Sequence, residues 1–272
     1  MEKKRVLIVT QELKPYLIES EISQIIKNLP QHIQDSGMEI RVLMPRFGNI
    51  NERRHRLHEV VRLSGINITV DKEDFPLMIK VASLPGARMQ VYFLDNEEFF
   101  KRKAVFKDDN DQFFEDNSDR MIFFCKGVIE TVKKFGWPPH IIHCHGWMTS
   151  LIPYYLKTMH KDDMVFNNTK VIYSVYENSF NNKLADTFVN RALHTVEDFA
   201  PFSNADNTSL NLGAAAYADA VIQASDNIAD PVKALLAKNG KPVLGYIKEE
   251  DEYLRDYQLF YERLLEVPAA IS

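Results

Sequence analysis

The sequence has little cysteine, no excess of basic charge and no long apolar run. Its two cysteines, Cys125 and Cys144, lie in apolar surroundings. This favours two free buried thiols in a cytoplasmic protein, with a single disulfide as the alternative. The net charge of −5 argues against a surface for nucleic acid or anionic membranes. No run approaches the roughly 20 apolar residues of a membrane span, and no signal-peptide cleavage site is present. We therefore expect a cytoplasmic protein with neither a nucleic-acid nor a membrane partner.

The first 48 residues contain the pattern of a strand, a helix and a second strand. Residues 5–10 and 40–44 are apolar runs, and isoleucine and leucine recur at helical spacing from Ile18 to Leu29. A unit of this length predicts two parallel strands joined by a right-handed crossover. Ligands of such folds bind beyond the carboxyl ends of the strands, so the loop of residues 11–20 is the first place to look for function.

The second half of the chain alternates predicted strands with predicted helices. We expect strands at 140–144, 170–175 and 220–224, and helices at 117–135, 148–159, 183–191, 209–217 and 227–238. Three short runs at 65–70, 77–84 and 89–94 precede them, and the last two predict a hairpin. The pattern as a whole predicts an α/β fold with a doubly wound, mainly parallel, Rossmann-like sheet. Residues 249–267 predict a C-terminal amphipathic helix that packs back on the domain, with partner binding as the alternative.

Several side chains suggest sites, each with a purely structural alternative. Five phenylalanines alternate with charges in residues 95–116 and predict either a loop pinned to the core or the wall of a sugar or nucleotide cleft. His145 follows a strand, where it either faces a ligand or is a structural histidine. His55 and His58 have no third ligand at metal-binding spacing and are expected to be solvated. No catalytic residue and no metal ligand is assigned.

Five segments, in order, resemble motifs of one family. They are VLIVTQELKPY, LPQHIQDSGMEIRVLMPRFG, DNSDRMIFF, PHIIHCHGWMTSLIPYYLK and NLGAAAYADAVIQAS. The chain thus resembles the N-terminal domain of bacterial glycogen synthases and plant starch synthases, which are ADP-glucose-dependent glucosyltransferases with two Rossmann-like domains. The resemblance implies a substrate-binding role for eight residues at motif positions. They are Glu12, Pro15, Tyr16, Asn117, Arg120, His145, Trp147 and Tyr176.

The chain departs from the family pattern at residues expected to bind the nucleotide sugar. The family's Lys-x-Gly-Gly-Leu loop matches residues 18–22 here, where the lysine and both glycines are absent and Glu19 and Glu21 are present. A carboxylate near a diphosphate is repulsive by about 1 kcal/mol in water and by more in a closed cleft. Gly146 replaces the family's aspartate, and Tyr176 stands at the position of its histidine.

The resemblance leaves two functions open. We expect residues 1–248 to form a single N-terminal-type domain, and residues 249–272 to pack back on it as a helix. The first interpretation is a glucan-binding or regulatory protein, not catalytic alone, with an α-glucan, a maltooligosaccharide or a glucan-metabolism enzyme as partner. Aromatic residues such as Tyr16, Trp147, Tyr176 and Phe180 would line its cleft. No cofactor is expected.

The alternative is an enzyme that moves glucose from ADP-glucose, its substrate, to the non-reducing end of an α-1,4-glucan. A second chain would then have to supply the donor domain. A third, weaker interpretation is a cleft reused for another anionic ligand, with Ser225 and the helix beginning near Asn227 offering backbone amides.

Overall fold

The computed structural model of the chain describes residues 3–87, 89–177, 180–193 and 199–266. Its strands are β1 (Arg5–Thr10), β2 (Glu39–Pro45), β3 (His58–Glu59), β4 (Ile66–Val70), β5 (Glu73–Ser83), β6 (Gln90–Asp95), β7 (Ile141–His145), β8 (Lys170–Val175), β9 (Ala220–Gln223) and β10 (Val243–Leu244). Its helices are α1 (Ile22–Ile25), α2 (Leu29–Asp35), α3 (Glu52–His55), α4 (Glu97–Phe100), α5 (Asn117–Phe135), α6 (Leu151–Lys157), α7 (Phe188–Ala192), α8 (Asn207–Tyr217), α9 (Asp230–Lys238) and α10 (Glu250–Glu266).

The predicted strand–helix–strand unit at the start of the chain is confirmed. β1 pairs in parallel with β2, and both strands are buried along most of their length. The connection between them contains two short helices where the sequence predicts one. Pro30 lies in the first turn of α2, and because it has no amide hydrogen it cannot continue a helix from α1. Ile18 lies outside both helices, and its side chain is 52% exposed.

The sheet is mixed and mostly parallel, as predicted for a Rossmann-like fold. Its strands lie in the order β10-β9-β8-β7-β1-β2-β6-β5-β3, with β4 paired to β5 beside this path. All pairs from β10 to β6 are parallel, whereas β5 runs antiparallel to β6, β3 and β4. The predicted hairpin is therefore present as β5–β6. Cys125 and Cys144 are both buried and free, as expected.

The segment 183–191 is only partly the helix that was predicted. The helix α7 begins at Phe188, whereas Lys183 forms an isolated antiparallel bridge with Asp206. Pairing with a distant segment therefore holds the first residues extended, which a local pattern cannot show.

The C-terminal helix α10 lies against the first helices and the centre of the sheet. One face of the helix is buried, formed by Tyr253, Leu254, Tyr257, Phe260, Tyr261 and Leu264. The Tyr253 hydroxyl donates to the backbone oxygen of Ile25 at 3.0 Å, and the Tyr261 hydroxyl lies 2.5 Å from Nδ1 of His143 in β7. Residues 267–272 of the predicted tail segment lie outside the described residues. Within the described ranges, no helix is long and apolar enough to cross a membrane.

Candidate functional site

A cleft of about 610 Å³ opens at the carboxyl ends of β1 and β7, the edge at which such sheets bind ligands. Gln11 and Glu12 enter it directly after β1, and Trp147 enters it two residues after β7. Loops from other parts of the chain complete it. The remaining lining residues are Glu19, Ser20, Asn49, Lys103, Ala104, Val105, Phe106, Lys107, Phe113 and Phe180.

One wall of this cleft is aromatic. The ring centroid of Trp147 lies 4.9 Å from that of Phe106, 5.0 Å from that of Phe180 and 6.0 Å from that of Phe113. Phe113 and Phe180 stack at 5.1 Å with an interplanar angle of 15°. Phe106 and Phe113 are half-buried, so part of each ring faces the cleft. We refer to Phe106, Phe113, Trp147 and Phe180 as the aromatic wall.

The two interpretations of residues 95–116 therefore apply to different phenylalanines. Phe99 and Phe100 are buried in the core, where Phe100 packs edge-on against Phe47 at 5.5 Å. Phe106 and Phe113, farther along the same segment, line the cleft. The segment is thus anchored by its first aromatic pair and presents later ones to the cleft.

Two carboxylates, Glu12 and Glu19, line the same cleft together with Lys103 and Lys107. Glu12 is 1% exposed, and its carboxylate accepts hydrogen bonds from the backbone N–H groups of Glu19 and Ser20, both at 2.8 Å. It also accepts one from the Ser20 hydroxyl at 2.6 Å. Burial, and to a lesser extent the charge of Glu12, raises the pKa of the Glu19 carboxyl. Two amides of this loop, which would otherwise suit a phosphate or a sugar oxygen, are therefore already occupied.

Gly146 and Gln11 fit each other at the point where β7 leaves the sheet. Gly146 has a φ of +87°, a conformation that side chains disfavour. The Gln11 side chain fills the space into which a Cβ at position 146 would project, and its Oε1 accepts from the Met148 N–H at 3.3 Å. An aspartate at position 146 would therefore collide with Gln11.

His145 is buried and does not line the cleft. Its Nδ1 atom lies 2.7 Å from the Tyr176 hydroxyl, and its ring centroid lies 3.8 Å from that of His143. Burial lowers the pKa of His145 to about 3, so the ring is neutral at physiological pH. Tyr176 is also buried, and burial is the main cause that raises the pKa of its hydroxyl. The pair matches the structural alternative for this histidine.

Asn117 and Arg120 hold the segment that carries the aromatic wall. Arg120 is fully buried, and its guanidinium donates to the backbone oxygens of Phe99 at 2.7 Å and Val105 at 2.6 Å. It also donates to Oδ1 of Asn117 at 2.6 Å, while the Asn117 amide donates to the Phe106 oxygen at 2.8 Å. Burial lowers the pKa of Arg120 to about 9. These two residues position Phe106 and do not line the cleft themselves.

Pro15 and Tyr16 lie away from the aromatic wall. The Tyr16 hydroxyl donates to the Ser83 oxygen at 2.8 Å, and its ring packs edge-on against Phe93 at 5.0 Å. Pro15 lines a different cavity of about 350 Å³, beside Lys27 and Gln31. Of the eight residues proposed from motif positions, the structure thus brings Glu12 and Trp147 into the lining of the cleft.

The anion position suggested at Ser225 is filled by a side chain of the protein. The Ser225 hydroxyl donates to the Glu21 carboxylate and accepts from the Glu177 N–H at 3.0 Å. The helix expected near Asn227 begins at Asp230. Among the described residues, no group of three or more histidine, cysteine, aspartate and glutamate side chains is arranged to hold a metal ion.

The sequence points to the segments that contain Gln11 and Lys103 but not to these two residues themselves, and it does not point to the region of Asn49; all three line the cleft. Gln11 had a usable signal, because it is the first residue after a predicted buried strand. Asn49 and Lys103 lie on loops that meet only in the folded chain, so no local pattern identifies them as neighbours.

Comparison with known proteins places the chain in a family. Residues 5–241 match the model of the starch synthase catalytic domain. The glycogen synthase of Chlorobium limicola is 34% identical over 229 residues, which are 84% of this chain and 47% of that protein. The glycogen synthase of Chlorobium luteolum is 40% identical over 175 residues, which are 63% of this chain and 35% of that protein. The chain thus spans less than half the length of these curated relatives.

A solved structure shares the fold. The catalytic domain of starch synthase IV from Arabidopsis thaliana, bound to ADP and acarbose, matches 91% of this chain and 52% of its own length, with a TM-score of 0.75 and 15% sequence identity. The match extends over the parallel sheet and its flanking helices, which confirms the Rossmann-like glycosyltransferase fold. The family match covers residues 5–241, most of the sequence, and the chain therefore belongs to the starch synthase catalytic domain family.

Proposed function

We propose that this chain binds α-glucan in the cleft bounded by the aromatic wall and does not transfer glucose from ADP-glucose by itself. Phe106 and Phe113 present partly exposed ring faces there, and such faces suit the apolar faces of sugar rings. Asn49 and Lys103 line the same cleft with exposed side chains and supply polar groups for sugar hydroxyls. The proposal makes the chain a binding or regulatory protein of glucan metabolism.

The observation that carries the second half of the proposal is the loop of residues 18–22, where the family resemblance implies contacts to the nucleotide sugar. This loop lacks the family's lysine and both glycines, and its amides at residues 19 and 20 are bound to the Glu12 carboxylate. Glu19 adds a second carboxylate to the cleft lining. Two like charges 4 Å apart repel by about 4 kcal/mol at a protein surface, so a diphosphate directly beside Glu19 is disfavoured.

The alternative function is glucosyl transfer to a glucan, with a second chain contributing the donor domain. It is favoured by one observation, namely that Glu12 and Trp147, both at family motif positions, lie together in the cleft. The relative from Arabidopsis thaliana was bound to ADP and acarbose, so the fold accommodates both a nucleotide and an oligosaccharide in that protein.

Isothermal titration with maltoheptaose and, separately, with ADP-glucose tests the proposal. Maltoheptaose should bind saturably, and ADP-glucose should give no saturable heat. Phe113→Ala should weaken maltoheptaose binding by about tenfold, because a lost ring contact of about 1.4 kcal/mol corresponds to that factor. Phe135→Ala is the matched control, since Phe135 is also half-buried but lies at the far end of α5.

Two outcomes would overturn the proposal. Saturable binding of ADP-glucose, followed by glucose incorporation into glycogen by the chain alone, would show that the acidic loop still accepts the donor. Absence of maltoheptaose binding, or equal weakening in the Phe113→Ala and Phe135→Ala variants, would show that the aromatic wall does not bind glucan.

A further inference from the structure

A second cavity of about 490 Å³ lies at the opposite edge of the sheet from the aromatic wall. Four of its lining residues mark the amino ends of parallel strands. Lys4 precedes β1, His140 precedes β7, Lys170 begins β8 and Asp219 precedes β9. The volume lies within the range of roughly 300–1,000 Å³ that is typical of small-molecule sites.

The charge of this cavity is strongly positive. Four lysines line it against one acid, namely Lys4, Lys157, Lys161 and Lys170 against Asp219, which gives a net charge of 4 − 1 = +3. Lys157 is bound to Asp219, with its Nζ atom 2.8 Å from each carboxylate oxygen. Asp219 is further occupied, because it accepts from the Val171 N–H at 2.7 Å.

The other three lysines have no such partner within the described part of the chain. Neither Lys4, Lys161 nor Lys170 forms an ion pair with any residue in the described ranges. Asp163, close in sequence to Lys161, is itself bound to Lys133 at 3.0 Å. Three lysines without an ion-pair partner among the described residues thus line one cavity, and an anion bound there gains favourable interactions with them.

The rest of the lining suits an organic molecule that carries the anion. Asn167 and Asn168 are exposed at the cavity and offer amide donors and acceptors, while Leu156, Phe166 and Leu264 are buried and apolar. Leu264 belongs to α10, so the C-terminal helix forms part of this site. A bare inorganic anion would leave the apolar side chains of the cavity uncovered. A sugar or nucleoside that carries a phosphate would contact both these side chains and the asparagine amides.

We propose that this cavity binds a phosphomonoester of a small organic molecule, with the phosphate held by Lys4, Lys161 and Lys170. A phosphomonoester carries between one and two negative charges at neutral pH and three acceptor oxygens, which matches three ammonium donors. Sugar phosphates and nucleoside monophosphates share this chemistry. The site is at the other edge of the sheet from the aromatic wall and does not require glucan binding.

Isothermal titration of the full chain with ribose 5-phosphate, AMP and inorganic phosphate tests the site and distinguishes the sources of the phosphate. At least one of the two organic phosphates should bind saturably and more tightly than inorganic phosphate. The Lys161→Gln/Lys170→Gln variant should weaken this binding by about tenfold or more, since it removes two charge-assisted contacts. The Lys72→Gln/Lys238→Gln variant is the control, because it removes the same charge from exposed lysines outside the cavity.

A spectroscopic measurement locates the ligand. In methyl-labelled protein, the resonances of Leu264 and Leu265 should shift on addition of the organic phosphate, and maltoheptaose binding should be unchanged in the Lys161→Gln/Lys170→Gln variant. If that variant does not fold, Lys4→Gln/Lys161→Gln replaces it, since both of those lysines are exposed. Lack of saturable binding, equal weakening in the control variant, or equal affinity for inorganic phosphate would overturn the proposal.

Discussion

The contact between Tyr261 and His143 provides a sharp test of the proposal that α10 seals a domain formed by residues 1–248. Tyr261 is fully buried, and its hydroxyl lies 2.5 Å from Nδ1 of His143. The other ring nitrogen of His143 lies 2.7 Å from the Ser174 hydroxyl. The substitution Tyr261→Phe removes one oxygen atom and leaves Nδ1 of a buried histidine without its partner.

The size of the effect follows from this geometry. Leaving a buried polar atom unsatisfied costs about 1–3 kcal/mol of the free energy of unfolding. In a protein of this size each kcal/mol lowers the melting temperature by roughly 2–4 °C. The centres of these ranges give a fall of about 6 °C for Tyr261→Phe. Tyr261→Ala also removes the buried ring and should cost about 3–5 kcal/mol, as for other large aromatic truncations.

Thermal unfolding followed by circular dichroism, with urea denaturation to obtain free energies, measures both variants. Leu259→Ala is the matched control, because Leu259 lies on the same helix and is 42% exposed. The control should change the free energy of unfolding by no more than about 1 kcal/mol. If Tyr261→Phe melts within 1 °C of the unchanged chain, the hydroxyl does not anchor the helix and the reasoning is refuted.

Three further predictions concern buried polar groups. Burial lowers the pKa of both His143 and His145, so unfolding takes up protons below about pH 6.5. Stability should therefore be fully present above that pH and fall as the pH is lowered, with His145 contributing up to about 1.4 kcal/mol per pH unit down to its pKa of about 3. His145→Gln should flatten the slope in urea denaturation, and an unchanged slope would contradict this. Gly146→Asp should destabilise the fold by about 2 kcal/mol or more, and Gln11→Ser in the same chain should restore part of the melting temperature, whereas no restoration would rule out the clash. Arg120→Lys should lower both the melting temperature and maltoheptaose affinity, and full affinity in titration would show that Arg120 does not position the wall.

The fold was largely predictable because its elements carry strong local patterns. The bounds of α5 and β8 agree with the sequence prediction at both ends. Both elements have an apolar pattern without interruption, and polar or turn-forming residues lie at their ends. The prediction failed at residues 183–191, where the bridge between Lys183 and Asp206 competes with local helix formation. Pairing between residues so far apart in sequence depends on the tertiary structure, so the local sequence around residues 183–191 does not show it.

The site was less predictable, because residues close together in its sequence lie in different surroundings in the fold. His145 and Trp147 are separated by one residue, yet His145 is enclosed by Tyr176 and His143 while Trp147 forms the centre of the aromatic wall. The positive φ of Gly146 turns the chain between them. Motif positions alone assign both residues to substrate binding and cannot separate a lining residue from one that supports it.

The side chains of Ser20 and Glu21, which replace the family's glycines, form hydrogen bonds with other residues of this chain. Reversing these replacements would therefore break those hydrogen bonds. Restoring lysine and glycines at residues 18–21 would delete the Ser20 hydroxyl bound to Glu12 and the Glu21 carboxylate bound to Ser225. Each lost charged hydrogen bond costs about 1.5–3 kcal/mol, and the freed Ser225 hydroxyl would need a new partner. Glu12 would still occupy the amides of residues 19 and 20, since those bonds depend on the backbone. The restored loop should therefore lose stability, and a measurement of its melting temperature must accompany any test of donor binding by it.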